Sequence, residues 1–163
     1  MSQFSAVQTD IARHLTELKW QLVTAESCTG GLIASCLTEQ AGSSVWFERG
    51  FVTYSNLAKQ ELLDVPEALI MEFGAVSEPV ALAMAVGALQ RSAGHIALSV
   101  TGIAGPGGGS VDKPVGTVCF GWAAHGMTPQ TLTKQFVGNR QDIRLAACQQ
   151  ALEGVLAIIK RAV

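Results

Sequence analysis

The sequence predicts an α/β fold, a three-layer α/β/α arrangement with a mixed sheet and helices on both faces. Two observations carry that prediction. Short β-rich runs alternate with helical periodicities from the N-terminus to about residue 100, the pattern of parallel strands joined by crossover helices. Two further β-rich runs, Val115 to Ala124 and Thr131 to Val137, then follow one another with no helix between them, the pattern of an antiparallel pair.

The elements follow in order. Phe4, Val7, Ile11, Leu15 and Leu18 recur every third or fourth position and predict an amphipathic first helix. Gln21 to Ala25 is a short β-rich run that leads into Glu26-Ser27-Cys28-Thr29-Gly30-Gly31. Leu32 to Thr38 has helix-forming character, and Gly42-Ser43-Ser44 stops it. Val45 to Tyr54 is aromatic and β-branched and reads as a second strand. Ser55 or Asn56 caps a helix through Lys59 towards Leu63, and Pro66 suits the first turn of another, closed near Gly74. Glu78-Pro79 opens a long Ala-rich helix to about Ser92, with Gly94 as its stop. Ile96 to Val100 is a buried-type strand that empties into a glycine-rich loop from Thr101 to Ser110. After the hairpin, Asn139 caps a last helix with Ile143, Ala147, Val155 and Ile159 on one apolar face. No repeat, linker or composition shift divides the chain, so residues 1–163 are expected to form one domain.

Composition narrows the function. Hydrophobic residues make up 48% and charged residues 15%, which excludes a disordered chain and leaves apolar surface for subunit contacts, so a homo-oligomer is expected. The net charge is −2 and the 11 Lys and Arg are scattered, so direct nucleic-acid contact is not expected. A small anionic ligand remains compatible, because a local cation and a few backbone N–H groups suffice for one phosphate. Cys28, Cys36, Cys119 and Cys148 have no metal-ligand spacing, and His14, His95 and His125 are dispersed, so neither a metal nor another cofactor is expected. The N-terminus lacks the pattern of a signal peptide, and the uncharged run from Ser92 to Val111 is broken by Gly and Pro, so no membrane span is expected. A cytoplasmic protein with reduced thiols is the simplest expectation.

Certain segments have residue choices that packing explains poorly. Around Ser27, a strand-to-helix turn exposes a hydroxyl, and N–H groups at the following helix N-terminus can stabilise an oxyanion or an anionic ligand. The alternative is an ordinary cap by Ser27 or Thr29. In Tyr54-Ser55-Asn56-Leu57-Ala58-Lys59, a buried lysine beside a serine can lose its proton and act as a general base, whereas a solvated one stays charged. The alternatives are a surface lysine and a half-buried strand tyrosine. The loop from Thr101 to Gly109 permits close backbone approach and an anion-binding nest, with a flexible connection as the alternative. It lacks the Gly-Lys-Ser/Thr ending of a P-loop and the dinucleotide fingerprint. Arg140 sits in the first turn of the last helix, where a cation opposes the helix dipole, and is a candidate phosphate clamp unless it is merely solvated.

These stretches carry a resemblance. Thr24 to Gly31, Phe51 to Lys59, Gly74 to Val80, Thr101 to Gly109, Lys113 to Val118 and Phe136 to Arg144 are similar, in the same order, to the nicotinamide-nucleotide amidohydrolase family, the domain also found at the C-terminus of competence/damage-inducible CinA proteins. The resemblance implies deamidation of nicotinamide mononucleotide to nicotinate mononucleotide and ammonia, a salvage step in NAD metabolism. Carried over by motif, Ser27 is the nucleophile, Lys59 its base and Tyr54 a hydrogen-bonding assistant. Thr29, Gly30 and Gly31, with Thr101, Gly102, Gly105, Gly107, Gly108 and Arg140, would hold the nucleotide and its phosphate. Leu57 departs from the family's frequent Glu, at a position expected to face away from the site.

Two rival readings are open at this point. Cys28 is intrinsically the better nucleophile, although no histidine is placed to activate it. A binding module would hold the nucleotide, or a recombination partner, without turnover.

Overall fold

The computed structural model describes residues 4–163. Its centre is a five-stranded sheet in the order β2-β1-β3-β4-β5. The strands are β1 (Leu22–Glu26), β2 (Phe47–Val52), β3 (Ile96–Gly102), β4 (Thr117–Ala124) and β5 (Gln130–Gln135). β1 runs parallel to both β2 and β3, while β3-β4 and β4-β5 are antiparallel, so the sheet is mixed as predicted.

Period-two alternation assigns each strand's side chains to two different cores. Leu22, Ile96, Leu98, Val100, Phe120 and Trp122 face α1 (Ser5–Leu18), α2 (Leu32–Thr38) and α6 (Arg140–Ala162), which supply Ile11, Leu15, Ile33, Leu37, Val155 and Ile159 to the same core. Val23, Ala25, Ala97 and Ala123 face the other way, towards Leu63 of α3 (Asn56–Leu63), Ile70 of α4 (Glu67–Phe73) and Val80, Met84 and Ala88 of α5 (Glu78–Gln90). This second face carries small residues, which lets α5 lie close. The Ser99 hydroxyl donates to the Ala81 carbonyl of α5, and a Cβ at Gly121 would stand 2.5 Å from that same oxygen.

Element boundaries shift where a local hydrogen bond outcompetes residue type. Val45 belongs to a 3-10 turn, with the Val45 and Trp46 N–H groups donating to Gly42 and Ser43, so β2 starts at Phe47. α5 opens at Glu78 as expected, with Ser77 as its cap accepting from the Val80 N–H. Thr101 and Gly102, expected in the glycine loop, instead continue β3 by pairing with Cys119 and Val118. Val115 and Val137 fall outside the hairpin strands for which their β-branching had suggested them.

The register fixes where a ligand can sit. Glu26 is level with Val52 on one side and Val100 on the other. The chain therefore leaves β1, β2 and β3 at one edge, bringing Ser27, Tyr54 and Thr101 together at the carboxyl ends of the parallel strands, where α/β sheets bind ligands.

Candidate active site

Ser27 follows the last residue of β1, and its N–H still bonds to the Val100 carbonyl at 2.9 Å. The chain then turns sharply, with the Gly30 N–H donating to the Ser27 carbonyl at 3.0 Å. Gly30 and Gly31 have φ of 59° and 96°, the left-handed region in which glycine is free of strain. α2 begins next, but its first N–H groups are not open to a ligand. The buried Glu26 carboxylate reaches past the turn and accepts from Ile33 N at 2.9 Å and Ala34 N at 3.0 Å. This corrects both sequence readings of the segment. The helix terminus is already neutralised by an acid from the strand, and neither Ser27 nor Thr29 caps it.

Lys59 arrives from the opposite layer. Ser55 caps α3 by accepting from Ala58 N at 3.0 Å, which starts the helix and turns Lys59 inward. The side chain is 1% exposed. Its Nζ lies 2.9 Å from Ser27 Oγ, 2.9 Å from the Thr53 carbonyl and 3.4 Å from the Tyr54 carbonyl. No carboxylate forms an ion pair with it among the described residues. Burial therefore pushes the Lys59 pKa down from its ordinary value. Nζ donates to the Ser27 hydroxyl and to both carbonyls, and an amine that loses its proton here can keep the carbonyl bonds while accepting from the Ser27 hydroxyl.

Cys28 is buried, and burial pushes its thiol up to about 12. It stays protonated at neutral pH, which removes the advantage of a thiolate nucleophile. Tyr54 is exposed, and its phenol oxygen accepts from Arg140 Nη2 at 3.1 Å. Arg140 also donates from Nη1 to the Gly105 carbonyl at 2.7 Å, tying the glycine loop to α6. The first turn of α6 is held by a capping box between Asn139 and Asp142.

Ser27, Tyr54, Lys59, Thr101, Gly102 and Arg140 line one pocket of about 190 Å³, together with Cys28, Asn56 and Val76. The other expected binding residues do not line it. Thr29 is fully buried, Gly30 and Gly31 form the turn, Gly105 is buried behind Arg140, and Gly107 and Gly108 are exposed. Leu57 is 60% exposed and also lies off the pocket, as expected.

Sequence reasoning missed Glu26 and Arg144 as parts of this site. Arg144 donates from Nε to the Cys28 carbonyl at 3.1 Å and from Nη2 to the Thr29 carbonyl at 2.9 Å, pinning the nucleophile turn to α6. A signal was present: Arg140 and Arg144 are four apart on one helix, so they share a face. Among the described residues no group of His, Cys, Asp and Glu is arranged to hold a metal ion, and no helix is long and apolar enough to cross a membrane.

Comparison with known proteins agrees with this architecture. Residues 4–159 match the CinA C-terminal domain model. The nicotinamide-nucleotide amidohydrolase PncC of Enterobacter agglomerans is 51% identical over 147 residues, covering 90% of each chain, and its Escherichia coli K12 counterpart is 51% identical over 132 residues. A CinA-like protein of Akkermansia muciniphila is 47% identical, but the present chain spans 37% of its length. Among solved structures, the competence/damage inducible protein CihA of Agrobacterium tumefaciens superposes with a TM-score of 0.94 at 46% identity, over 97% of this chain and 96% of that one. With the family model spanning nearly the whole chain and relatives this similar, the protein belongs to the CinA C-terminal domain family.

Proposed function

We propose that this protein deamidates nicotinamide mononucleotide, releasing ammonia and nicotinate mononucleotide, with Ser27 as nucleophile and Lys59 as its base. The observation that carries the reading is the buried 2.9 Å contact between the Lys59 amine and the Ser27 hydroxyl, in a pocket at the carboxyl edge of the sheet. The amidohydrolase relatives support the reaction class.

In this scheme neutral Lys59 takes the Ser27 proton as the hydroxyl oxygen attacks the carboxamide carbon. The substrate's pyridinium charge already makes that carbon electrophilic. A tetrahedral oxyanion forms and needs a donor. Cys28 N–H, the first amide after the nucleophile, bonds to no other backbone group among the described residues, and we assign it that part. Lys59 or Tyr54 returns a proton to the leaving nitrogen, ammonia departs, and water then releases the acyl group from Ser27. Arg140 orients the Tyr54 phenol and fixes the Gly105 end of the loop. All four cysteines are buried and none forms a disulfide among the described residues, which suits a cytoplasmic, reducing setting, and the composition suits a homo-oligomer.

The test is incubation with nicotinamide mononucleotide and separation of the products. One ammonia per nicotinate mononucleotide is expected, and Ser27→Ala should lower kcat by about 10³-fold or more. Cys28→Ala should keep most of the rate. Full activity in Ser27→Ala, or tight nucleotide binding with no product, would overturn the proposal.

A further inference from the structure

A carboxamide presents two unlike ends, an oxygen that accepts hydrogen bonds and a nitrogen that donates them. The carboxylate left after hydrolysis presents two oxygens that only accept. A site that turns over the first and releases the second gains from an acceptor held against the nitrogen. Thr101 is placed and bonded as such an acceptor.

Glu26 is level with Val100, and the Ser27 N–H bonds to the Val100 carbonyl, so Ser27 and Thr101 sit side by side at the ends of neighbouring parallel strands. Strands in such a pair lie ~4.8 Å apart, and both side chains line the same pocket. A carbon within ~3–3.5 Å of the Ser27 hydroxyl, the range for attack, therefore brings one of its two heteroatoms beside Thr101. Thr101 is 1% exposed, and its Oγ1 lies 2.8 Å from the Ala75 carbonyl oxygen. A carbonyl only accepts, so the hydroxyl proton is committed to it. That carbonyl has no rival donor. The N–H that a helical bond would use belongs to position 79, where Pro79 has none, and no other backbone N–H bonds to it among the described residues. Its direction is set by the turn before α5, in which Ser77 Oγ donates to the Gly74 carbonyl at 2.8 Å and accepts from Val80 N at 3.4 Å. With its proton engaged, Thr101 Oγ1 offers only lone pairs to a ligand in the pocket.

We propose that Thr101 selects amide over acid: its Oγ1 accepts an N–H of the substrate carboxamide and repels the oxygen that takes the nitrogen's place in the product. The inference rests on the deamidase reading and adds to it a specificity determinant. The carboxamide oxygen is left for the Cys28 N–H, and the two ends cannot exchange without setting lone pair against lone pair. The covalent step is unchanged. The C–N bond breaks, its electron pair stays with nitrogen, and the added proton comes from Lys59 or Tyr54, because Thr101 has none to give. Once water has released the acyl group, a carboxylate oxygen faces the same lone pairs, which weakens the hold on nicotinate mononucleotide.

The experiment compares the native protein with Thr101→Val, which keeps the shape and loses the oxygen, and Thr101→Ser, which keeps the oxygen and its proton. For each protein, kcat/KM is measured for nicotinamide mononucleotide and for the methyl ester of nicotinate mononucleotide, whose leaving atom carries no N–H. The inhibition constant of nicotinate mononucleotide is measured alongside. Thr101→Val should lower kcat/KM for the amide by about 10–100-fold, the range for a buried hydrogen bond lost. The ester should lose less, so the amide-to-ester ratio should shrink by about tenfold or more, and the acid product should inhibit more tightly. Thr101→Ser should keep the native ratio. Because the ratio is read within one protein, a displaced α5 or a partly unfolded sample lowers both rates and leaves it unmoved. Amide and ester slowed equally by Thr101→Val, with product inhibition unchanged, would overturn the inference and leave Thr101 a tie between β3 and the turn. Should Thr101→Val fail to fold, equilibrium binding to the Ser27→Ala protein decides. Nicotinamide mononucleotide should bind it about tenfold or more tighter than nicotinate mononucleotide, and equal or reversed affinities would overturn the inference. No ammonia from the native protein would instead overturn the deamidase reading on which it depends.

Discussion

Lys59 is a cation by chemistry placed where a cation is poorly accommodated. It is almost wholly buried, its partners are a hydroxyl and two carbonyls, and among the described residues no carboxylate forms an ion pair with it. Two consequences follow from its lowered pKa. Activity should rise with pH through that lowered value, because the protonated amine has no lone pair for the Ser27 proton. A kcat/KM profile that stays flat from acid to neutral pH would contradict the assignment. The stability consequence has its own sign. Between the folded pKa and the unfolded value near ~10.4, the unfolded chain binds the extra proton, so stability should increase with pH across that window. Below the folded value both states are protonated, and the destabilisation is then fully present. Thermal unfolding of the native protein and of Lys59→Met across pH reads this directly: the difference should move in favour of the native protein as pH rises. Lys59→Arg should be inactive at every pH, since a guanidinium does not deprotonate.

At the scale of the element, β1, the turn and α2 behave as one piece, held from below by Glu26 and from the side by Arg144. Glu26→Gln replaces an acceptor-only carboxylate with an amide that has one acceptor oxygen, leaving one of the Ile33 and Ala34 N–H groups unpaired in a buried place. Chemical denaturation should show a loss of about 1–3 kcal/mol, the cost of such an orphan. The turn would also loosen under Ser27, so kcat should fall more than KM rises. Unchanged stability would mean that water reaches those N–H groups. This unit also shows what the sequence could and could not disclose. The span of α2, Leu32–Thr38, was legible to the residue, because glycine-bearing turns bracket it. The start of α6 was legible because its capping box lies within four consecutive residues. Ser27, Lys59, Tyr54 and Arg140 were legible as a set through their motifs, and the structure brings them to one pocket. The roles of Glu26 and Arg144 were not, since they depend on contacts made across 7 and 116 positions of chain. Glycine content also misled at Thr101 and Gly102, where the antiparallel partner β4 keeps them in the sheet.

Over the whole molecule, the sheet separates two cores, and the second, whose strand side is mostly alanine, depends on backbone lying against backbone. Gly121 is the tightest expression of that within the sheet. A Cβ there would meet the Ala81 carbonyl oxygen at 2.5 Å and Ser99 Oγ at 2.7 Å, so relief requires α5 to move away from the strands. Gly87 is similar from the helix side, where an added Cβ would overlap the Leu63 carbonyl that closes α3. Gly121→Ala should therefore cost about 1–3 kcal/mol by overpacking. In a chain of this size the midpoint of thermal unfolding should drop by about 2–4 °C per kcal/mol. Gly107→Ala is the matched control: nothing lies within 4 Å of its Cβ and its backbone is not left-handed. It should leave the midpoint unchanged or raise stability by about 0.4–1 kcal/mol, through the smaller entropy of the unfolded chain. Because α5 follows Ala75 and Val76, which line the pocket, a displaced helix should also raise KM in Gly121→Ala at temperatures where it is still folded. Equal midpoints for Gly121→Ala and Gly107→Ala would show that α5 has room to spare, and that close packing on this face does not set the position of the pocket wall.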